Sequence, residues 1–360
     1  MDDAKRCLAP GRALSEWSAA GRPCAALCVE LDGAAVVVRR GDGGSVRLLD
    51  NVHRVAVASF ESAHGDDLPF EPVVLTGCCT DWAALYCECG WSVAALARRG
   101  LQRAVSLDGG PGFARTSLSL SRVPIQEYHR YCSADADGDR APLYVFDADV
   151  LSSGFADGTT MASEWATPHC FSHDAQAGLT GSTFRPLPPA WLLVGAARSG
   201  TPIHDHPTTA SWNALLSGAK AWVILPPDVD EAELLLRDDD DDDDDGSGDG
   251  ADGGALDLSA LEWFGERAER PLPAGARIVM QCPGEVVYVP AGWWHVVLNV
   301  QTSTALSVSL ALRRDIDTLL PKLLKEDQPF AMQWLRSLGR DLPPSLKDAL
   351  TLTHAPESLS

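Results

Sequence analysis

The amino-acid sequence predicts a mainly β fold, a sandwich or barrel, with helical segments on either side of it. Between residues 190 and 314 the chain repeats short apolar or alternating runs that are separated by Gly and Pro. Regular short strands with such turn residues are typical of all-β sandwiches and barrels. Apolar residues recur at helical spacing in WSVAALARRG (91–100), and the pattern becomes helical again after Arg314. With 45% hydrophobic residues and 11 Trp, the chain can build a sizeable core.

The first half of the chain is less regular. Residues 28–50 contain two apolar runs around a Gly-Asp-Gly-Gly turn, which predicts a hairpin within an N-terminal extension (1–50). EPVVLTG and PLYVFD predict short buried strands, and residues 148–185 are rich in Ser, Gly and Asp, which favours loops with short helical pieces. Residues 51–189 are therefore expected to form an α/β part that supports the β core.

The β core itself is expected to span residues 190–314, followed by a helical segment (315–360). An interruption at 238–254 begins with the aspartate run Asp238–Asp245 and continues as a Gly-rich stretch. Such a segment has nothing to bury, so it is predicted to be a solvated, disordered insertion between strands. It is either a tolerated loop expansion or a docking site for a basic partner.

The charge balance is acidic. Lys plus Arg is 29 and Asp plus Glu is 50, which gives a formal net charge of -21. This surface repels nucleic acid backbones and favours basic partners, so direct nucleic-acid binding is not expected. No signal-type segment or run of 18 apolar residues is visible, which predicts an intracellular chain in the nucleus or cytoplasm, without membrane contact. The ten cysteines lack CxxC spacing and are expected to be free thiols.

Three histidines form a candidate metal site. The segment GTPIHDHPTTASWN places His204, Asp205 and His206 in a row. On a strand, residues i and i+2 point to the same face, so strict alternation puts His204 and His206 on one side and Asp205 on the other. A tight Pro-Ala-Gly turn precedes His295, and a hairpin there would return His295 beside His204. Such a facial trio leaves positions open for O2 and a cosubstrate, as iron oxygenases require.

The same stretches resemble the Jumonji-C (JmjC) family of iron and 2-oxoglutarate oxygenases. WLLVGAARSGTPIH, SWNALLSGAKAWVILPP and PGEVVYVPAGWWHVVLN carry the likeness, which is strongest to a branch of arginine demethylases and lysyl hydroxylases. It runs from about Val52 to Ser309. The resemblance implies a double-stranded β-helix, a jelly roll of the cupin type, with flanking α-helices and the site in its mouth.

The resemblance also assigns roles by position. His204 and His295 match iron ligands, and Lys220 matches the lysine that pairs with the distal carboxylate of 2-oxoglutarate. Thr201 and Ser307 match hydroxyl groups that bind the cosubstrate. Two further polar residues match positions close to the iron and cosubstrate, Asn213 and Asn299. A dicarboxylate in an apolar barrel needs such a fixed cation and short donors.

The middle ligand departs from the family pattern, which is His-x-Asp or His-x-Glu, six residues, then Trp-Asn. Counted back from Trp212 the position belongs to Asp205, and counted on from His204 it belongs to His206. A one-residue deletion in the turn at Pro207 favours His204, His206 and His295. A bulge beside His204 would instead turn Asp205 inward.

The resemblance implies a dioxygenase that uses Fe(II), 2-oxoglutarate and O2 to hydroxylate or N-demethylate Lys or Arg side chains. The expected substrate is a basic protein or peptide of the histone or RNA-binding type. Two alternatives stay open from the residues. One is a catalytically inactive JmjC module, which the His-Asp-His irregularity favours. The other is a three-His cupin dioxygenase of a small molecule, which needs neither Lys220 nor Thr201.

Overall fold

A computed structural model describes residues 28–39, 43–65, 67–86, 90–108, 122–134, 136, 139, 142–185, 190–230, 233–234, 258–267 and 270–339. Its strands are β1 Cys28–Asp32, β2 Ala35–Arg39, β3 Ser45–Leu49, β4 Arg54–Ala56, β5 Val73–Thr76, β6 Val105–Asp108, β7 Arg122–Val123, β8 Tyr144–Asp147, β9 Ala190–Gly195, β10 Gly200–His204, β11 Ala210–Ser217, β12 Lys220–Leu225, β13 Arg277–Gln281, β14 Val286–Val289, β15 Trp294–Asn299 and β16 Ser303–Leu310. Its α-helices are α1 Val57–His64, α2 Val93–Arg98, α3 Ile125–Ala134, α4 Ala260–Glu266, α5 Arg313–Glu326 and α6 Gln328–Ser337. The predicted acidic insertion (238–254) lies outside the described residues.

Two sheets face each other and form the β core. The larger has nine strands in the order β4-β5-β14-β11-β16-β9-β8-β6-β7, and the smaller has the order β10-β15-β12-β13. Both sheets contribute buried side chains to one apolar layer between them: Val74, Val287 and Val289 from the larger sheet, and Trp222, Ile224, Val279 and Val297 from the smaller. This face-to-face packing of mostly antiparallel sheets is a jelly roll, which confirms the predicted fold class.

The outer face of the larger sheet is covered by the first half of the chain. Trp212 of β11 is fully buried there and stacks on Phe171, with ring centroids 5.6 Å apart. The predicted helix at 91–100 is α2, whose N-terminus is capped by the side chain of Ser92. Residues 148–185 form irregular chain with four short 3-10 turns, as the composition predicts. β11 is therefore buried on both faces, and its inward side chains are held rigidly.

The outer face of the smaller sheet is covered by the three-stranded sheet β1-β2-β3 together with α4. β2 and β3 pair antiparallel, in agreement with the hairpin expected from the sequence, and β1 adds a third strand. Val36 and Leu48 pack in one cluster with Trp263 of α4 and Val223 of β12. Helices α5 and α6 form a separate apolar cluster with Leu179. None of the helices in the described part of the chain has the length and hydropathy that a membrane crossing requires.

The turn before His295 is not the expected hairpin. β14 pairs with β5 and β11 in the larger sheet, while β15 pairs with β10 and β12 in the smaller one. Because both edges of each strand are filled by other partners, β14 and β15 cannot pair with each other. Pro290–Gly292 therefore crosses from one sheet to the other, and Gly292 has a φ of 78°, a conformation that favours glycine.

Strand β10 carries a β-bulge directly before the histidines. Gly200 pairs with Leu298 and Thr201 with Val297, but His204 pairs with His295, so one extra residue lies between Thr201 and His204. A bulge of this kind changes which side chains face inward. Here Thr201 and His204, three residues apart, both line the space between the sheets, whereas Ile203 packs in the outer cluster.

Candidate functional site

A cavity of about 420 Å³ lies between the two sheets, lined by residues of both. Both sheets contribute apolar and polar side chains to its lining. The polar lining residues are Tyr144, Thr201, His204, His206, Ser211, Asn213, Lys220, His295, Ser307 and Ser309. Every polar lining position except His206 lies on a strand, so the rigid sheets fix the positions of these groups.

Three imidazoles meet at one end of this cavity. One ring nitrogen of each of His204, His206 and His295 lies within 4.8 Å of the others. The ring centroids of His204 and His295 are 4.1 Å apart, and that of His206 is 5.0 Å from His204 and 5.3 Å from His295. Among the described residues, this is the one group of three or more metal-ligating side chains with such spacing.

His206 does not reach this group by strand alternation. β10 ends at His204, and His206 lies two residues beyond it. The backbone carbonyl of His206 accepts a hydrogen bond from the N–H of Gly292, at 3.0 Å. The sheet-crossing turn before His295 therefore fixes the backbone at position 206. The other two ligand candidates, His204 and His295, lie on the paired strands β10 and β15.

Asp205 stays outside the cavity, although a bulge is present. The bulge lies on the N-terminal side of His204 rather than beside Asp205. Asp205 is half-buried and is absent from the lining residues. Its carboxylate acts on His204 only through its charge. That charge raises the pKa of the imidazole, but by less than burial lowers it.

The protonation of the imidazoles suits metal binding. Nδ1 of His204 lies 2.8 Å from the carbonyl oxygen of Pro202, and Nδ1 of His295 lies 3.1 Å from that of Trp293. A carbonyl only accepts, so each Nδ1 carries the proton and Nε2 keeps its lone pair. Burial lowers the pKa of His204, lowers that of His206 to about 4, and lowers that of His295 well below its usual value. All three are neutral at pH 7, the form that binds metals.

Lys220 marks the other end of the cavity. Its side chain is 1% exposed, and burial alone lowers the pKa of its amine from 10.5 to about 7. Nζ lies 3.4 Å from the hydroxyl oxygen of Tyr144, and no carboxylate of the described residues forms an ion pair with it. A buried amine without a carboxylate is costly for the fold, which indicates a site that receives an anion.

Polar side chains line the wall between the histidines and Lys220. Asn213 and Ser307 are paired across β11 and β16, and Ser211 and Ser309 form the neighbouring pair. Because every second residue of a strand faces one side, all four reach the cavity. Oδ1 of Asn213 is buried without a hydrogen-bond partner. The sequence analysis did not identify Ser211, Ser309 and Tyr144 as site residues. The alternation in SWN and SVS and the predicted strand PLYVFD could have indicated them.

Asn299, by contrast, is not part of the lining. It is fully buried, its Nδ2 donates to Oγ of Ser199 at 2.9 Å, and its Oδ1 accepts from Ser303 at 2.5 Å. Its backbone also bonds to residues 198 and 199. A Cβ at Gly195 would lie 1.9 Å from Nδ2 of Asn299, so glycine there makes room for the amide. Asn299 therefore has a structural role, because its side chain and backbone hydrogen bonds hold the turn before β10.

The jelly roll and the histidine cluster in its mouth define a class of protein. A family model described as a cupin-like domain matches residues 68–312. The chain belongs to this cupin-like family, and within it to the JmjC-type oxygenases.

Individual relatives agree with this assignment. The chain is 28% identical over 298 residues to the bifunctional arginine demethylase and lysyl-hydroxylase psr-1 of Caenorhabditis elegans, covering 80% of this chain and 67% of the relative. It is 30% identical over 285 residues to the arginine-specific demethylase JMJ22 of Arabidopsis thaliana, covering 77% of this chain and 49% of the relative. A shorter match of 28% over 118 residues, 32% of this chain and 25% of the relative, is to the 2-oxoglutarate and iron-dependent oxygenase JMJD4 of Mus musculus.

Proposed function

We propose that this protein is an Fe(II)- and 2-oxoglutarate-dependent oxygenase that hydroxylates or N-demethylates Lys or Arg side chains of a basic protein substrate. The proposal is carried by one cavity that holds three convergent imidazoles at one end and a buried lysine without a carboxylate partner at the other. Its iron ligands would be His204, His206 and His295.

The residues present fit both iron and a dicarboxylate. Neutral imidazoles suit iron, and a trio on one side of an ion leaves its other positions open. The amine of Lys220 and Oδ1 of Asn213 both belong to cavity-lining residues. Among the described residues, the amine has the Tyr144 hydroxyl but no carboxylate as a partner, and Oδ1 has no hydrogen-bond donor. A carboxylate of the ligand would pair with the amine, and a bound ligand or water with a donor would satisfy Oδ1.

When bound, iron supplies oxidative decarboxylation of 2-oxoglutarate by O2 to succinate and CO2, coupled to insertion of one oxygen atom into a substrate C–H bond. On a carbon side chain the hydroxylated product is stable. On an N-methyl group it collapses to formaldehyde and the demethylated nitrogen. Either way the net reaction consumes one O2 and one 2-oxoglutarate.

The chain's own residues bind, orient and exclude water. Lys220 would hold the distal carboxylate as an ammonium, and the hydroxyl groups of Tyr144, Thr201 and Ser307 would donate hydrogen bonds to the cosubstrate. The buried side chain of Trp222 lies against the ring of His295, with centroids 6.0 Å apart and the planes 25° from parallel, and gives the cavity an apolar wall at this end. Such a wall would limit the water that reaches the reacting atoms.

The charge of the chain and the names of its relatives support the proposed substrate class. The acidic balance of the chain, -21, attracts Lys- and Arg-rich peptides and disfavours nucleic acid. Of the relatives, psr-1 is an arginine demethylase and lysyl-hydroxylase, and JMJ22 is an arginine-specific demethylase. A histone or an RNA-binding protein in the nucleus or cytoplasm has the required chemistry.

The test is succinate formation from 2-oxoglutarate with Fe(II), with and without peptides that carry lysine or methylated arginine. We expect peptide-stimulated succinate, with a mass gain of one oxygen on the peptide or release of formaldehyde. His295→Ala is the matched control and should abolish both. Succinate that no basic peptide stimulates would contradict the proposed substrate class.

One observation favours a second candidate, a JmjC module without turnover. His206 occupies the place where family members carry a carboxylate, and Asp205 lies outside the cavity. Binding of metal and 2-oxoglutarate with no succinate under any condition would establish this candidate. A small-molecule dioxygenase with three histidines is disfavoured, because such chemistry gives no reason to bury Lys220.

A further inference from the structure

The charge of the cavity raises a question about how it retains a metal ion. None of the lining residues is Asp or Glu, and this holds for the described part of the chain, from which the lining is drawn. The three imidazoles are neutral ligands. A divalent ion bound there keeps its full charge of two, inside a buried site that also contains the amine of Lys220.

A buried charge that no opposite charge compensates is strongly unfavourable. In a site with one carboxylate ligand, the protein itself removes one unit of the ion's charge. Here that compensation must come from a ligand that enters the cavity. A dicarboxylate brings two negative charges, and the cavity offers it two positive centres, the ion and the ammonium of Lys220.

We propose that His206 makes metal uptake conditional on the dicarboxylate, so that the ion and 2-oxoglutarate bind as a mutually dependent pair rather than one after the other independently. The inference rests on the proposed function and goes beyond it, since it concerns how the cavity is loaded. By linkage, the factor by which the dicarboxylate tightens metal binding equals the factor by which the metal tightens dicarboxylate binding.

Asp205 does not supply the missing charge. It is the acidic residue nearest in sequence, but it lies outside the lining and reaches His204 only through its charge. The position of its backbone is set by the strand end at His204 and by the hydrogen bond from Gly292 to His206. Position 206 is therefore where a carboxylate would have to stand to lower the charge of the ion directly.

The experiment measures metal affinity, not activity. Co(II) and Mn(II) are titrated under anaerobic conditions into the full chain, freed of metal, with and without saturating 2-oxoglutarate. The ratio of the two dissociation constants is the coupling factor. Coupling between sites is commonly about 5- to 150-fold, and we expect the wild type at the upper end, on the order of 100-fold.

His206→Asp and His206→Glu place a carboxylate at two different reaches. At least one should bind metal more tightly than the wild type without 2-oxoglutarate, and its coupling factor should fall about tenfold. Its preference should also shift from Co(II) toward Mn(II), because oxygen ligands suit the harder ion. Asp205→Asn is the matched control and should leave the coupling factor within about twofold of the wild type, as expected for a screened charge outside the site.

Three outcomes would overturn the inference while leaving the proposed function intact. In the first, the wild type binds metal tightly without 2-oxoglutarate and has the same coupling factor as the carboxylate variants. In the second, both carboxylate variants lose the metal although their Tm is unchanged. In the third, Asp205→Asn no longer binds metal. Failure of the wild type to bind metal and 2-oxoglutarate in any combination would instead overturn the proposed function.

Discussion

Replacing Lys220 by Met should change stability and cosubstrate binding in opposite directions. The lysine is buried among residues of both sheets, with Tyr144 as its nearest polar neighbour. Methionine has a similar length and is apolar, so it fills the same space without an amine. The free energy of unfolding should be higher in the variant than in the wild type, while its affinity for 2-oxoglutarate should be much lower.

The stability gain follows from the pKa of the amine. Burial lowers it from 10.5 to about 7, whereas an unfolded lysine keeps the higher value. Between those values the unfolded chain binds a proton that the folded chain does not, so the free energy of unfolding of the wild type rises with pH across this window. At about 1.4 kcal/mol for each pH unit, the buried amine costs on the order of 2 to 4 kcal/mol at pH 7. Lys220→Met should therefore raise Tm by several degrees at pH 7.

The loss of affinity follows from the missing cation. Leaving a buried carboxylate of the ligand without its charged partner costs roughly 2 to 4 kcal/mol, which is about 30- to 1,000-fold in affinity. In the wild type, binding above pH 7 requires the amine to take up a proton. The affinity for 2-oxoglutarate should thus fall by up to about tenfold for each pH unit above 7, and Lys220→Met should lack this dependence.

Titration of 2-oxoglutarate into the anaerobic Fe(II) protein, followed by its metal-to-ligand absorption band, measures the affinity without knowledge of the substrate. Lys220→Arg is the control for charge and should recover only part of the affinity, since the guanidinium differs in reach and shape. Iron content should be equal in all three proteins when each is saturated with ligand. Equal affinities in wild type and Lys220→Met would remove the lysine from the site and refute the reasoning.

Four further predictions concern the three histidines, Asn299 and the acidic insertion. His204→Ala and His295→Ala should each abolish Fe(II) binding in metal analysis, because two ligands hold iron poorly; stoichiometric iron in either would contradict the site. Since burial lowers the pKa of His206 to about 4 and an unfolded imidazole titrates near 6.5, Tm without metal should fall as pH falls from 6.5 to 4. His206→Gln should fall less over this range. Asn299→Ala should lower Tm by several degrees and leave the 2-oxoglutarate affinity nearly unchanged, since its amide bonds to Ser199 in the turn before β10 and to Ser303 at the start of β16, neither of which lines the cavity. Deletion of Asp238–Gly253 should shift Tm by less than about 5 °C, and a larger drop would mean that the segment packs on the fold.

Most of the fold could be predicted from the sequence because its signals are local. Short runs with Gly and Pro between them predict strands, and the helical spacing of apolar residues in 91–100 predicts α2. The pairing of strands is not local. VVYVPAGWWHVV has the pattern of a hairpin, but β14 and β15 belong to different sheets, because the partners of each strand come from distant parts of the chain.

The candidate site shows the same division. Lys220, Thr201, Asn213 and Ser307 were predicted on the strength of motifs and do line the cavity. Asn299 was assigned by position too, yet its amide is used inside the fold. Motif position alone cannot distinguish an inward side chain that lines the cavity from an inward side chain, such as that of Asn299, whose hydrogen bonds are all made inside the fold. Both kinds face the same way on a strand.

The bulge in β10 explains why the reasoning about the middle ligand was incomplete. Strict alternation and a bulge appeared as rivals, one favouring His206 and the other Asp205. The chain has the bulge, between Thr201 and His204, and still brings His206 to the cavity, because position 206 is held from the other side by the turn before β15.

The charges of surface and cavity would direct two ligands to two places. The chain as a whole carries a net charge of -21, yet no lining residue among those described is acidic. The field of surface charges is screened beyond about 8 to 10 Å at physiological salt, so it acts mainly on a large basic substrate that approaches along the surface. In the proposed site, a small dicarboxylate would be bound by short-range contacts to Lys220 and to the metal ion, where solvent screening is weak. Salt should therefore weaken the capture of a basic peptide far more than that of 2-oxoglutarate, because only the former depends on charges that remain in water.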